Sequence, residues 1–216
     1  MPGPPGNNLE EYRKKRDFSG TPEPPGGQAA GTRDALLFVV HKHQASHLHY
    51  DLRLELEGVL KSWAIPKGPP LDAGDKKLAM MVEDHPFDYR TFEGVIPEGS
   101  YGAGTVMIWD RGTYRAAGCA GRVESEKAMQ EGLARGHISF VLDGQKLKGE
   151  FALVRLKKAG ENSWLLIKKK DDFAQNRGVP QSETSVASGR PQGRKGRTSG
   201  RRRRGSAREG SSPSTT

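Results

Sequence analysis

The stretch HLHYDLRLELE, His47 to Glu57, alternates polar and apolar residues without interruption. Leu48, Tyr50, Leu52, Leu54 and Leu56 fall on one face; His47, His49, Asp51, Arg53, Glu55 and Glu57 fall on the other. A period of two predicts a β-strand. Its neighbours read the same way. LLFVV (36–40), VLKSWAI (59–65), KLAMMVE (77–83), GTVMIWD (104–110), GTYRA (112–116), HISFVL (137–142), GEFALVRL (149–156) and SWLLIKK (163–169) are short β-branched or aromatic runs between turn signals. Asp143-Gly144 marks a hairpin. One helix is expected, Ser125 to Arg135, with Ser125 as N-cap and Gly136 as stop. Many short strands and one short helix predict a mainly β fold, a small closed or nearly closed β-barrel. In that fold the polar strand face is expected to line a polar interior.

The flanks differ from this core. The chain has 216 residues, 33% hydrophobic, with 28 glycines and 14 prolines. Residues 1–34 are Pro/Gly-rich and read as a flexible arm, with a helical turn near Leu9 to Arg16. Prolines deny helix or central strand to Thr21–Gly27. Residues 35–176 read as the barrel domain. Residues 177–216 read as a disordered basic tail. That tail carries ten Arg and Lys against Glu183 and Glu209, so it holds +8 of the +9 net charge. Its Arg201–Arg204 run suits polyanions through counterion release, or serves only as a solubilising segment. A single cysteine, Cys119, excludes an internal disulfide framework and a multi-cysteine zinc site. No run approaches a membrane span, and a reducing intracellular compartment is expected.

Five of the six histidines lie between positions 41 and 85. His49 and Asp51 share a face about 7 Å apart along the strand, and Arg53 continues the row. His43 precedes a bend, Gln44 to Ser46, that folds it back toward His49. Two imidazoles and a carboxylate suit manganese, iron or zinc. An arginine beside such a group adds a planar fork for phosphate or carboxylate oxygens. His85 follows a strand and is placed to complete the pocket. The same row is also what an unliganded, exposed sheet face looks like. His41 and His47 share strand parity with His43 and His49, so either can replace a neighbour as ligand. Trp63, Trp109 and Trp164 read as core, and PEGSYGAG (97–104) as a turn between strands.

Longer motifs add a resemblance. FVVHKHQASHLHYDLRLELEGVLKSWAIPKGP (38–69) and VEDHPFDYRTFEGVIPEGSYGAGTVMIWDRGTY (82–114) resemble the 3′-phosphoesterase domain of bacterial DNA ligase D and its stand-alone relatives. YRKKRDFSGTPEPPG (12–26) resembles that family's N-terminal segment, and LKGEFALVRL with SWLLIKKKD its closing strands. The likeness covers about residues 10–173. It implies a manganese-dependent site, with other divalent metals accepted, acting on 3′ ends of DNA or RNA-containing primer-templates. A terminal ribonucleoside is removed first, leaving a 3′-phosphate, whose removal leaves a ligatable 3′-OH for DNA repair. The metal ligands implied are His43, His49 and Asp51. Arg53 and His85 would contact the phosphate; Tyr89, Glu83 and Lys67 would line the site. Arg16, Asp17 and Glu23 would close over it from the arm. Lys77 stands where the family usually has Arg, and His41 and His47 where it often has Gln and Arg. If Lys77 contacts phosphate, the loss of bidentate geometry weakens one of the two activities.

The resemblance also implies partners: a separate DNA ligase and an end-binding protein, with no membrane. Its location would be cytoplasmic and nucleoid-associated, or nuclear in a eukaryotic host. Two other readings compete on the residues alone. Two histidines and a carboxylate on a barrel also describe a non-haem iron(II) oxygenase. A noncatalytic DNA-end-binding module would place its affinity in the tail.

Overall fold

The alternating stretch forms the second of nine strands in the computed structural model, which describes residues 9–27, 34–157, 160–174 and 184–191. The strands are β1 (Leu36–Gln44), β2 (Leu48–Leu56), β3 (Val59–Ile65), β4 (Lys76–Pro86), β5 (Gly94–Ile96), β6 (Gly104–Ala116), β7 (His137–Gly144), β8 (Lys148–Arg155) and β9 (Ser163–Lys168). Two helices accompany them, α1 (Glu10–Lys14) and α2 (Arg122–Arg135), with a 3₁₀ turn at Phe87–Thr91. Hydrogen-bonded neighbours run β1-β2-β3-β4-β9-β8-β7-β6, and β6 returns to β1. Eight antiparallel strands therefore close a barrel, and β5 is an extra strand on β6. The expected strands at 104–110 and 112–116 are one continuous strand, which pairs β1 along most of its length and β7 at its end.

Local chemistry explains the joints. Glu57 and Gly58 both have positive φ, 52° and 79°, and link β2 to β3 as a two-residue hairpin of primed type. Gly136 takes the left-handed conformation, φ 78°, and ends α2 as expected. The start of α2 differs from the expectation. The helix begins at Arg122, and the Ser125 N–H already bonds the Gly121 carbonyl, so Ser125 lies inside the first turn rather than capping it. Arg122 in that turn reaches Glu55 Oε1 at 2.8 Å and ties the helix to β2.

The barrel is filled with apolar side chains, which corrects the expected polar interior. Leu52, Leu54 and Leu56 of β2 join Phe38, Trp63, Ala79, Trp109, Tyr114, Phe140, Leu142, Phe151, Leu153, Trp164 and Leu166 in one cluster drawn from all eight barrel strands. On β7 the opposite residues, His137 and Asp143, are exposed, so the face away from the cluster is the outside. The row His49, Asp51, Arg53 and Glu55 lies on that outer face. Alternation fixes two faces but carries no sign for inward and outward. Asp51, Arg53 and Glu55 of that row are nevertheless buried and His49 is half-buried, because the Tyr89 ring of the 3₁₀ turn lies over Arg53 and Arg122 of α2 meets Glu55. Tyr12, Leu60, Phe87 and Tyr89 make a second, smaller core there, with Phe18 against it.

Part of the expected tail is also packed. Val186 N–H donates to the Ile108 carbonyl at 3.0 Å, Thr184 pairs with Pro191, and the Ser185 hydroxyl donates to Glu93. Arg201–Arg204 and the rest of the tail lie outside the described residues. Among the described residues no helix is long and apolar enough to cross a membrane.

Gly112 marks the point where β6 changes partner, pairing both Phe38 and Gly144. A Cβ there would sit 2.0 Å from the Asp143 carbonyl oxygen, which is backbone and cannot swing away. Gly112→Ala is expected to cost about 1–3 kcal/mol by overpacking, read as a lower denaturant midpoint. An unchanged midpoint would mean that the junction is slack.

Candidate metal centre

The bend between β1 and β2 sets His43 directly opposite His49 and His41 opposite Asp51. His43 Nδ1 lies 3.9 Å from Asp51 Oδ2, and His49 Nε2 lies 3.7 Å from Asp51 Oδ1. The ligand atoms of the three residues fall within 4.8 Å of one another. The second nitrogen of each ring is fixed by backbone. His43 Nε2 is 2.9 Å from the Gly102 carbonyl, and His49 Nδ1 is 3.0 Å from the His47 carbonyl. A carbonyl only accepts, so those nitrogens carry the protons. The lone pairs of His43 Nδ1 and His49 Nε2 are then left facing the carboxylate. Burial, the largest influence, holds the His43 imidazole below its usual pKa against the pull of Asp51, so the ring stays neutral and able to ligate. Two oriented imidazoles and a carboxylate fit a divalent first-row cation.

Arg53 follows on the same face and is 3% exposed. Its Nη2 donates to Asp51 Oδ2 at 3.1 Å, Nη1 to Ser62 Oγ at 2.9 Å, and Nε to His41 Nδ1 at 3.2 Å. The guanidinium carbon also lies 4.8 Å from the Tyr89 ring centre. A guanidinium has five N–H donors in a planar array, of the kind that takes two oxygens of a phosphate.

His85 stands across Ser62 from Arg53. Its Nδ1–H donates to the Glu83 carbonyl at 2.9 Å, and its Nε2 lies 3.4 Å from Arg16 Nη2. Burial first, then the positive charges of Arg53 and Arg16, push its pKa well below the ordinary histidine value. The ring is neutral and Nε2 is an acceptor. The ring therefore starts without the second proton that donation to a leaving group would need.

The arm reaches this point through Arg16. Its Nε donates to Glu23 Oε1 at 2.9 Å, its Nη1 to Glu83 Oε1 at 3.3 Å, and its guanidinium carbon sits 3.9 Å from the Tyr12 ring centre. The Tyr89 hydroxyl donates to the same Glu23 oxygen at 2.9 Å, and burial, the main cause, keeps that phenol protonated. Lys15 adds a 3.0 Å contact to Glu83 Oε2. Burial alone would raise the Glu83 pKa; Lys15 and Arg16 outweigh it and leave the carboxyl below its usual range. The arm is thus held by alternating charges and not by apolar area alone.

Residues 41–155 match the family described as DNA Ligase D 3′-phosphoesterase domain. The chain belongs to this family. It is 51% identical over 170 residues to the multifunctional non-homologous end joining protein LigD of Pseudomonas aeruginosa, covering 78% of this chain and 19% of that protein. It is 43% identical over 152 residues to the LigD of Mycobacterium tuberculosis, covering 70% of this chain and 19% of that protein. The LigD of Mycolicibacterium smegmatis is 42% identical over 165 residues, 76% of this chain and 21% of that protein. The chain spans about a fifth of the length of these curated relatives. These family relatives are DNA-repair proteins that act in end joining.

The family motifs land unevenly on the site. His43, His49, Asp51, Arg53, Glu83, His85, Tyr89, Arg16 and Glu23 come together as described above. Asp17 does not face them. It is exposed and builds a turn, accepting from the Ser19 N–H and hydroxyl at 3.0 and 2.7 Å. Lys77 lies at the start of β4 beside β9, and among the described residues its ion pair is with Asp75 at 2.8 Å. Lys67 is exposed on the loop after β3. His41 is a partner of Arg53 rather than a ligand, and His47 contributes its carbonyl to His49. Residue-by-residue reading missed Ser62, Lys15 and Tyr12. Only Ser62 carried a local signal, as a polar residue on the outer parity of β3.

The depressed pKa of His85 has a thermodynamic sign. Its folded value lies below its unfolded one, so the unfolded chain binds the extra proton first. Stability from this group is present above the ordinary histidine pKa and is lost as pH falls below it, at no more than about 1.4 kcal/mol per pH unit. Denaturant unfolding without added metal at pH 7.5 and 5.5 should show lower stability at 5.5, with a smaller loss in His85→Gln. An equal loss in both proteins would remove His85 as a cause.

Proposed function

We propose that the chain is a manganese-dependent phosphoesterase that processes 3′ ends of DNA and of RNA-containing primer-templates. The observation that carries this reading is the Arg53 guanidinium bonded to Asp51 of the His43–His49–Asp51 group, within a chain of the DNA ligase D 3′-phosphoesterase family. A divalent cation held by the three ligands would supply Lewis-acid polarisation of a phosphate ester. The Arg53 guanidinium would face the non-bridging oxygens and oppose their charge. Arg16, held by Glu23 and Glu83, stands beside His85 and adds a second positive charge.

Burial is the main cause of His85 neutrality, and a phosphate between Arg53 and Arg16 would offset the lesser one, their positive charges. His85 then takes a proton at Nε2 and becomes the donor to the leaving oxygen. With a 3′-phosphate, a water oxygen attacks phosphorus and loses a proton to solvent, the bond to the 3′ oxygen breaks, and that oxygen receives the His85 proton. The products are a 3′-OH and inorganic phosphate. With a terminal ribonucleoside, water adds at the bridging phosphorus, the bond to the 5′ oxygen of the ribonucleoside breaks, that oxygen takes the proton, and a 3′-phosphate remains. Tyr89 is a positioning residue in this account, since its hydroxyl holds Glu23 and its ring faces Arg53. The separate ligase and end-binding protein that would use the product, and a cytoplasmic or nucleoid location, belong to the same proposal. The family match and the arginine fork favour phosphate chemistry over oxygen activation.

A labelled duplex ending in one ribonucleotide tests the reading, with manganese and with EDTA. The expected sequence is loss of the ribonucleoside, then of phosphate, in manganese alone. His49→Ala and Asp51→Ala should each lower turnover at least about 100-fold with unchanged circular dichroism. Full activity in both variants would overturn the assignment.

A further inference from the structure

Tyr101 is an aromatic residue that the fold does not use. Its ring is 51% exposed, on the loop between β5 and β6, and it belongs to neither core cluster. Its position is nonetheless fixed against the metal centre. The next residue, Gly102, gives the carbonyl that orients His43, and consecutive Cα atoms are about 3.8 Å apart. Gly102 has φ 75°, and a Cβ there would lie 3.8 Å from His43 Cε1, so the loop runs closely over the ligand. Two cations of the arm approach the Tyr101 ring: Lys15 Nζ at 5.1 Å and the Arg16 guanidinium carbon at 5.5 Å from its centre. Half of the ring faces solvent at the mouth of a site whose charged side chains are spoken for.

An exposed aromatic beside cations is what a single-stranded nucleic-acid end needs. The cations meet the phosphate, and the ring meets the flat face of the base, whichever base it is. We infer that Tyr101 is a stacking platform for the base of the 3′-terminal nucleotide, with Lys15 and Arg16 beside it for the adjoining phosphate. This subsite rests on the phosphoesterase reading and makes it more specific. The site would grip the end through a base without reading its sequence. The ring touches neither reacting oxygen nor metal ligand, so its loss should weaken binding and spare the chemical step.

Two measurements test this. The first uses a 3′-OH duplex, which cannot turn over, with 2-aminopurine as its terminal base. Fluorescence should be quenched on binding by the wild type, Tyr101→Phe and Tyr101→Trp, and much less by Tyr101→Ala. The second is phosphate release from a 3′-phosphate primer-template. Tyr101→Ala should raise KM about tenfold, the scale of one base–aromatic stack, with kcat within about twofold, and Phe should restore it. On a 3′-phosphate end whose terminal base is missing, Tyr101→Ala and wild type should be alike. Equal quenching and equal KM in Tyr101→Ala and wild type would overturn the platform. So would a kcat that falls equally on both ends, because that would make Tyr101 a support for the His43 loop. An inactive wild type with Tyr101-dependent quenching would overturn the phosphoesterase reading while supporting the platform.

Discussion

A guanidinium is buried on the outer wall of this barrel, and much of the site follows from satisfying it. Arg53 is too desolvated to rely on water, so its donors must find partners in the protein. Asp51, Ser62 and His41 each take one N–H, and the Tyr89 ring covers the planar face. Asp51 is thereby held with its carboxylate toward His43 and His49. Tyr89, set against Arg53, donates to Glu23, and Glu23 holds Arg16. Removing one member of such a buried charged set costs about 3–5 kcal/mol, because the remaining charge is stranded. The three candidate ligands, the buried guanidinium and the arm are therefore parts of one polar network.

The network sits on the barrel rather than in it. An interior packed from eight strands gives a rigid wall, and closure leaves little freedom of register. β1 is bonded on both edges, to β2 and to β6, so His41 and His43 cannot slip against His49 and Asp51. A slip of β1 by one residue would turn His41 and His43 inward among Leu52, Leu54 and Trp63. Rigidity has a consequence for cover. A polar row on an outer wall is open to water unless another segment lies across it. Here the 3₁₀ turn at Phe87–Thr91 and the arm do this, with Tyr12 and Tyr89 excluding water and Arg16 bringing charge.

Much of this was legible in the sequence, for physical reasons that differ by element. Strand period made β2 and most of the wall readable, and it also put His49, Asp51 and Arg53 in one row. The bend at Gln44–Ser46 was enough to bring back His43. Period could not say which face turns inward, because both faces of β2 end up largely buried, one in the barrel and one under Tyr89 and Arg122. The arm itself has no period. Its docking depends on contacts from Arg16 to Glu83 and His85 nearly seventy positions away, which leave no local trace, and only the likeness to the family pointed to Arg16 and Glu23. The same likeness placed Asp17, Lys67 and Lys77 at the site, where the structure shows a turn, an exposed loop and an ion pair with Asp75. Composition read the segment 184–191 as tail. A few hydrogen bonds to Glu93 and Ile108 hold it on the barrel, a signal too small for composition to carry.

The central claim is that His43, His49 and Asp51 form one divalent-cation site on the outer wall. Anomalous diffraction at the manganese edge, from crystals of the full chain grown with manganese, tests it most directly. The account predicts one strong peak bonded to His43 Nδ1, His49 Nε2 and an Asp51 oxygen, and its loss in Asp51→Ala. A peak elsewhere, or one that survives Asp51→Ala at full height, would contradict it.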